Sequence, residues 1–250
     1  MITAIANQKG GVAKTTSTLA IAGLLAETGS CLAIDLDPQG NLTTGLGVEL
    51  APGQLTLYDG LTGRAPLKEA LISTRSGVYL LPGDITLAKV EKELLNHPQR
   101  FQILRKALAP ILQDFEQVVI DCPPSLGLLT LNALTAADLL LVPVQCQFFA
   151  LKGLQGSLKT VQIVRQRLNP KLQILGVLPT MAELNTGMTQ EIMKRLRSQL
   201  EGVRVFDPVP KSVRFPESNM AGEPIHRFCR DWKLVQPYRD VVRQLLMQEA

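Results

Sequence analysis

At 250 residues and 46% hydrophobic content the chain is long enough to bury the continuous core of one α/β domain. No apolar run approaches the roughly eighteen residues that cross a bilayer, which argues against a membrane-spanning helix, and the chain enters its first apolar run at once, leaving no room for a secretory signal. The formal net charge of +4 is uneven: residues 1–193 hold 15 lysines and arginines against 15 acids, and residues 194–250 hold 11 against 7. That bias permits a basic face for nucleic acid and equally an evenly solvated surface. Cys31, Cys122, Cys146 and Cys229 lack a paired metal-ligand spacing and read as reduced cytoplasmic thiols. His97 and His226 are too isolated for a zinc centre.

In chain order, Ile2–Ala6 is an apolar run of the kind that forms a buried parallel strand. Lys9-Gly10-Gly11-Val12-Ala13-Lys14-Thr15-Thr16 follows, and a helix is expected from about Lys14 to Glu27, ended by Gly29. Strand, glycine loop and helix in that order present backbone N–H groups to an anion. Lys14 can reach the β- and γ-phosphates of a nucleotide, and the Thr15 hydroxyl can join the shell of a magnesium ion. The usual pattern of glycine, four residues, glycine, lysine and serine or threonine is not met literally, because Ala13 replaces the second glycine. That reads as a small loss: a methyl group costs little where the backbone is already helical, and much more where positive φ is required. A plain glycine turn before a helix is the structural alternative.

Cys31–Asp35 is a second buried strand, emerging into Asp35-Leu36-Asp37-Pro38-Gln39-Gly40-Asn41. Alternation places Asp35 and Asp37 on one side of an extended segment, with Asp35 assigned to the metal side and Asp37 to the attacking water. A solvated Asp-Pro turn would share this pattern. Short helices are expected near Thr56–Leu61 and Leu67–Ile72, a strand at Val78–Leu81, and helices at Ile85–Leu95 and Gln99–Leu108. Gln117–Asp121 repeats the strand-plus-acid design and exits through Cys122-Pro123-Pro124-Ser125-Leu126-Gly127. Asp121 is the candidate for magnesium coordination through water, and Gly127 for close approach of the loop to a γ-phosphate. Asp121 as a bare strand-end acid is the competing reading. Cys122 has no histidine partner and reads as core.

A helix is expected over Leu128–Ala136, a strand over Leu139–Val142, and a longer helix over Leu151–Leu168 whose Lys152, Lys159, Arg165 and Arg167 make a basic face. Leu172–Leu178 is another strand, and Pro179-Thr180-Met181 is a place to meet a base or ribose. Thr189–Leu200 is a helix bearing Lys194, Arg195 and Arg197, and Val203–Phe206 is the last strand. Val209–Phe215 reads as a basic surface loop. Val235–Met247 has the apolar spacing of a helix packed on the core.

Together, Lys9-Gly-Gly-Val-Ala-Lys14-Thr-Thr, Asp35-Leu-Asp37-Pro-Gln-Gly-Asn41 and Val119-Ile-Asp121-Cys-Pro-Pro-Ser125 resemble the ParA/Soj family of deviant-Walker partition ATPases, as do Pro210-Lys-Ser-Val-Arg214 and Gly222-Glu-Pro-Ile225. The resemblance spans the whole chain. It implies one domain over residues 1–250, a three-layer P-loop NTPase fold whose mostly parallel sheet is covered by helices on both faces. It also implies ATP and ADP with Mg2+, and a nucleotide-sandwich homodimer in which Lys9 reaches the phosphates held by the other subunit. Lys14 is then the in-cis lysine, with Gly10, Gly11, Val12, Ala13, Thr16 and Pro210 around the nucleotide. Thr15, Asp35 and Asp121 lie on the metal side, and Asp37 supports hydrolysis. Family members bind double-stranded DNA without sequence preference, and a ParB-like partner stimulates hydrolysis. That implies a cytoplasmic protein, nucleoid-associated when ATP-bound, with no stable membrane association.

Lys211 and Arg214 are the DNA-contact candidates, followed by Arg195 and Arg197. Asn185 stands where the family often carries arginine, so that contact does not carry over. The alternatives are a relative that positions a protein cargo such as a carboxysome or chemoreceptor cluster, a MinD-type division regulator, and a nucleotide-controlled module that no longer hydrolyses.

Overall fold

The central strands are continuous apolar runs because both of their faces are covered. In the computed structural model, which describes residues 1–147 and 150–248, β1 (Ile2–Ile5) leads through the glycine loop into α1 (Lys14–Leu25) and then β2 (Cys31–Asp35). The chain continues through α2 (Asn41–Gly45), α3 (Leu57–Leu61), β3 (Ile72–Ser73) and β4 (Tyr79–Leu81). Next come α4 (Val90–Glu93), α5 (Ile103–Leu108), β5 (Gln117–Asp121), α6 (Leu128–Ala136) and β6 (Leu139–Gln145). It ends with α7 (Ala150–Arg167), β7 (Gln173–Thr180), α8 (Gly187–Gln199), α9 (Arg214–Met220), α10 (Ile225–Phe228) and α11 (Trp232–Leu246).

The sheet order is β3-β4-β2-β5-β1-β6-β7, parallel throughout except for the antiparallel β3–β4 pair. Alternate strand residues feed two cores. Leu32, Ile34, Val118 and Ile120 pack under α5, α6 and α7, whereas Cys31, Ala33 and Val119 pack under α1 and α11. This is the expected three-layer arrangement. Its consequence is positional, since the register pairs Asp121 with both Ile5 and Asp35. The acids therefore end neighbouring strands at one edge of the sheet, beside the loop that leaves β1. No described helix is long and apolar enough to cross a membrane.

Several elements differ from expectation. Val203–Phe206 is not a strand but a single bridge from Val205 to Val177, with Arg204 O and Phe206 N bonded to Val177 at 2.8 and 3.0 Å. Pro179 and Pro208, having no N–H, interrupt the ladder, which resumes where the Val209 N–H donates to Pro179 O at 2.8 Å. The expected helix at Leu67–Ile72 is a 3-10 turn over Leu67–Ala70 running into β3, two residues too short to leave a periodic pattern. Ile85–Leu95 divides into a 3-10 segment, Ile85–Lys89, and the single turn of α4. The helix expected from Gln99 begins at Ile103. Conversely, α9 occupies what reads as loop, because Pro216 falls in a first turn, where its missing N–H costs nothing. Helix α11 starts earlier than expected, at Trp232, where the Asp231 carboxylate accepts the Lys233 N–H at 3.0 Å. Leu234 joins its buried face, while Leu246 is 37% exposed.

Candidate functional site

Where β1 ends, Asn7 fixes the direction of the loop. Its side chain donates to Pro143 O at 2.7 Å, and its Oδ1 accepts from the Lys9 N–H at 3.0 Å and the Ser157 hydroxyl at 3.3 Å. Gly11 and Ala13 then adopt left-handed backbone, φ 69° and 62°. Glycine takes this conformation freely, whereas an L-residue loses about 1–2 kcal/mol there. Ala13 is therefore not the small loss expected: it is a strained turn placing Lys14 as the first residue of α1. That helix has no side-chain cap and no acid in its first turn, so its leading N–H groups remain available to an anion.

Lys14 is 7% exposed, and its Nζ donates to Lys9 O at 3.3 Å. Burial lowers its pKa, opposed first by the neighbouring charge of Asp121. Asp121, fully buried, accepts from Thr15 Oγ1 at 2.6 Å and Thr18 Oγ1 at 3.1 Å. Burial and, after it, the nearby Asp35 raise the Asp121 pKa to about 8, and the hydroxyl bonds and Lys14 offset only part of this. The carboxylate thus lacks a full counter-charge. The Thr15 hydroxyl and the Asp121 carboxyl meet at the start of α1. No cluster of three or more His, Cys, Asp or Glu side chains able to cage a metal occurs among the described residues.

Asp35 has a different immediate task from the metal-side position assigned to it. Its Oδ2 accepts the Thr43 N–H and hydroxyl, both at 2.8 Å, and its Oδ1 accepts the Asp37 N–H at 3.3 Å. Burial raises its pKa to about 6, with the Thr43 bonds opposing the shift. The carboxylate is engaged in holding the loop that carries Asp37. Asp37 is 8% exposed and accepts the Gln39 N–H at 3.0 Å, leaving a second oxygen at the strand edge. Gly83 lies against the Asp35 backbone, where a Cβ would clash, and its N–H meets Thr43 Oγ1 at 3.1 Å.

Beside the loop is a cleft of about 220 Å³ lined by Ala13, Thr16, Met181, Pro210, Phe215 and Asn219. Thr180, also on its wall, donates its hydroxyl to Val12 O at 3.1 Å. Pro210 and the Thr180–Met181 segment thus meet at one cleft beside the loop. Gly127 does not stand open to phosphate, because the Glu91 carboxylate occupies its free side and accepts the Leu128 N–H at 2.7 Å. Lys9 points outward, its Nζ 3.3 Å from Gln145 Oε1.

The four expected DNA contacts lie on one broad region, where the Ala182–Pro210 bridge joins the segment before α8 to the segment before α9. They do not form a bare cationic patch. Arg195 pairs with Glu191 at 2.7 Å, Arg197 with Asp207 at 3.0 Å, Lys211 with Glu183 at 3.7 Å and Arg214 with Glu217 at 2.9 Å. On α7, Lys159, Arg165 and Arg167 are exposed, while the Lys152 side chain lies outside the described residues. Local sequence pattern does not single out Asn7, Thr43 or Asn219. Thr18 alone carries a signal, one helical turn beyond Lys14 and Thr15.

A family model described as an AAA domain matches residues 1–174. The chromosome partitioning protein ParA of Caulobacter vibrioides is 42% identical over 253 residues, covering 99% of this chain and 94% of that protein. The sporulation initiation inhibitor protein Soj of Bacillus subtilis is 38% identical, covering 98% of this chain and 97% of that protein. Among solved structures, a Mycobacterium smegmatis protein titled cobyrinic acid a,c-diamide synthase, with bound ADP and magnesium, superposes with a TM-score of 0.86 at 38% identity. It covers 98% of this chain and 93% of its own. A glycine loop closed by Lys14 and Thr15, an acid on each flanking strand and full-length likeness to these proteins agree: the chain belongs to the ParA/Soj family of P-loop ATPases, which work with ATP or ADP and Mg2+.

Proposed function

We propose that this chain is a DNA-partition ATPase: it closes into a homodimer around ATP, holds duplex DNA without sequence preference, and hydrolyses ATP to ADP and phosphate when a ParB-like protein engages it. The observation that carries the reading is the 2.6 Å Thr15–Asp121 bond on a buried acid beside Lys14. The partition role rests on the names of the Caulobacter and Bacillus relatives rather than on the amide-forming activity named for the structural neighbour.

In this reading the first-turn N–H groups of α1 and the Lys14 ammonium would hold the phosphates, and Thr15 and Asp121 would stand on the metal side. Magnesium supplies charge neutralisation on the phosphate oxygens. Asp37 accepts a hydrogen bond from the attacking water and aims it, with Asp35 and Thr43 fixing its loop. Lys14 must leave the Lys9 carbonyl, and Lys9 must leave Gln145, for one lysine to serve its own nucleotide and the other the partner's. Charge developing on phosphate is then met from both subunits. Sequence-blind DNA retention depends on phosphate neutralisation by lysine and arginine. The protein works in the cytoplasm and resides on the nucleoid in its ATP state.

Co-sedimentation with random-sequence duplex, run beside a size measurement in apo, ADP and ATP states with Mg2+, tests the proposal. Dimer and DNA retention are expected with ATP alone. Equal retention and equal size in all three states would refute it.

A further inference from the structure

The loops that carry Asp37 and Asp121 are joined from outside by one short segment, residues 83–91. At its start, Gly83 is wedged into the Asp37 loop: its N–H meets Thr43 Oγ1 at 3.1 Å, and its backbone lies against Asp35 and Gly40. At its end, Glu91 on α4 accepts the Leu128 N–H at 2.7 Å and covers the free side of Gly127. Leu128 opens α6, which has no acid in its first turn and no side-chain cap of its own. A carboxylate is favoured at that positive helix end, and here it arrives from a different element. Helix α4 is itself held, since Val90 is buried and the Tyr58 hydroxyl donates to Glu93 at 2.8 Å. Between Asp121 and α6 runs Cys122–Gly127. The Cys122 N–H donates to Ile5 O at 3.2 Å, Pro124 stands beside Gly10 of the glycine loop, and the Thr130 hydroxyl donates to Ser125 O at 2.6 Å. Pro123 and Pro124 fix two successive φ angles, so this loop is stiff and an anchor at one end bears on the other.

We infer that Glu91 is a positioning residue for hydrolysis: by capping α6 it holds the exit loop of Asp121 against the glycine loop, and residues 83–91 tie that loop to the one carrying Asp37. The inference deepens the hydrolysis part of the proposed function and rests on it. Glu91 touches no reacting group. It anchors the α6 end of the exit loop as Ile5 O anchors the Asp121 end, so that Asp121 and Asp37 keep one spacing across the phosphate edge. Glu91 is exposed and has no ion pair among the described residues, so water can take over the Leu128 N–H when the carboxylate is removed. Folding then loses little. Geometry loses more, because a displacement of about 1 Å at a reacting centre can cost about a hundredfold in rate.

Full-length protein with Mg2+ and ATP is assayed for phosphate release, and affinity for a nonhydrolysable ATP analogue is measured beside it. Glu91→Ala should lower kcat by about tenfold while KM and analogue affinity stay within about twofold of the parent. Glu91→Gln keeps an oxygen that can accept the Leu128 N–H, so it should hold kcat within about threefold of the parent. Gly127→Ala breaks the same bond from the other side. Its backbone, φ −77°, suits any residue, but the added Cβ would displace the Glu91 carboxylate. Its loss of kcat should match that of Glu91→Ala, and the double variant should lose no more than either alone.

Unchanged kcat in Glu91→Ala, equal losses in the alanine and glutamine variants, or losses that multiply in the double variant overturn the positioning role and leave the proposed function standing. So does a fall in analogue affinity as large as the fall in kcat, which would make Glu91 part of nucleotide binding. Parent protein that releases no phosphate with Mg2+ and ATP overturns both. Amide exchange gives a reading without turnover: the Leu128 N–H should exchange faster in Glu91→Ala than in the parent, and equal exchange overturns the cap. Should thermal unfolding show Glu91→Ala to be misfolded, Gly127→Ala decides by the same kcat and affinity readings.

Discussion

The phosphate edge and the charged outer faces are built on opposite plans. At the edge, Lys14, Asp35, Asp37 and Asp121 are each less than 9% exposed and are bonded to specific backbone or hydroxyl groups. At the α8–α9 region, long side chains sit half in water and pair with whichever acid lies a turn away. Removing a group from the first kind of site leaves a buried partner unsatisfied, which is costly. Removing one from the second breaks a pair worth about 0–1 kcal/mol. Position is fixed at the edge, whereas the outer faces offer only net local charge.

That contrast can be broken at several points. The largest effect is expected from Asp37→Ala, with phosphate release lower by about 10²–10⁴-fold and the ATP-bound dimer retained in size-exclusion chromatography. Normal turnover would remove Asp37 from the mechanism. Lys14→Ala should weaken nucleotide binding by about tenfold to a hundredfold, as expected for loss of a charge-assisted bond. Calorimetry showing equal ATP affinity would place the phosphates elsewhere.

Ala13→Gly sharpens the comparison from the backbone side. Relief of its left-handed strain should stabilise the unliganded protein by about 1 kcal/mol, raising Tm by about 2–4 °C. An unchanged or lower Tm would show that the φ of 62° carries no strain. The smallest effect concerns pH. Burial lowers the His226 pKa below 6.5 against the opposing charge of Glu27, with Arg227 and Arg239 adding to the shift. The folded state therefore resists protonation that the unfolded chain accepts. This contribution is complete above about pH 6.5 and is lost as pH falls through the folded pKa. Denaturant melts of His226→Gln should show a flatter decline below pH 6.5 than the parent, and parallel curves would exclude His226 as the source.

Much of the edge is legible in the order of residues alone. Lys14, Thr15, Asp37 and Asp121 lie next to strand ends, and a buried parallel strand announces its end where apolar residues give way to polar ones. The position of Asp35 follows from the same rule. Its partner Thr43 does not, because a bond over eight residues depends on the turn between them. The one-turn α4 and two-residue β3 are too short to show a period. Helix α9 is hidden by Pro216, which punctuates a sequence whether or not it begins a helix.

By itself the amino-acid order determined the α/β layering, the glycine loop and the acids beside it, because each depends on local spacing along strands and one tight turn. Tertiary structure alone decided that Ala13 is left-handed, that Asp35 holds a loop, that Glu91 covers Gly127, and which acids the α8–α9 cations face. Those outcomes depend on groups far apart in the chain meeting within hydrogen-bond or Coulomb range, and no local pattern encodes such distances.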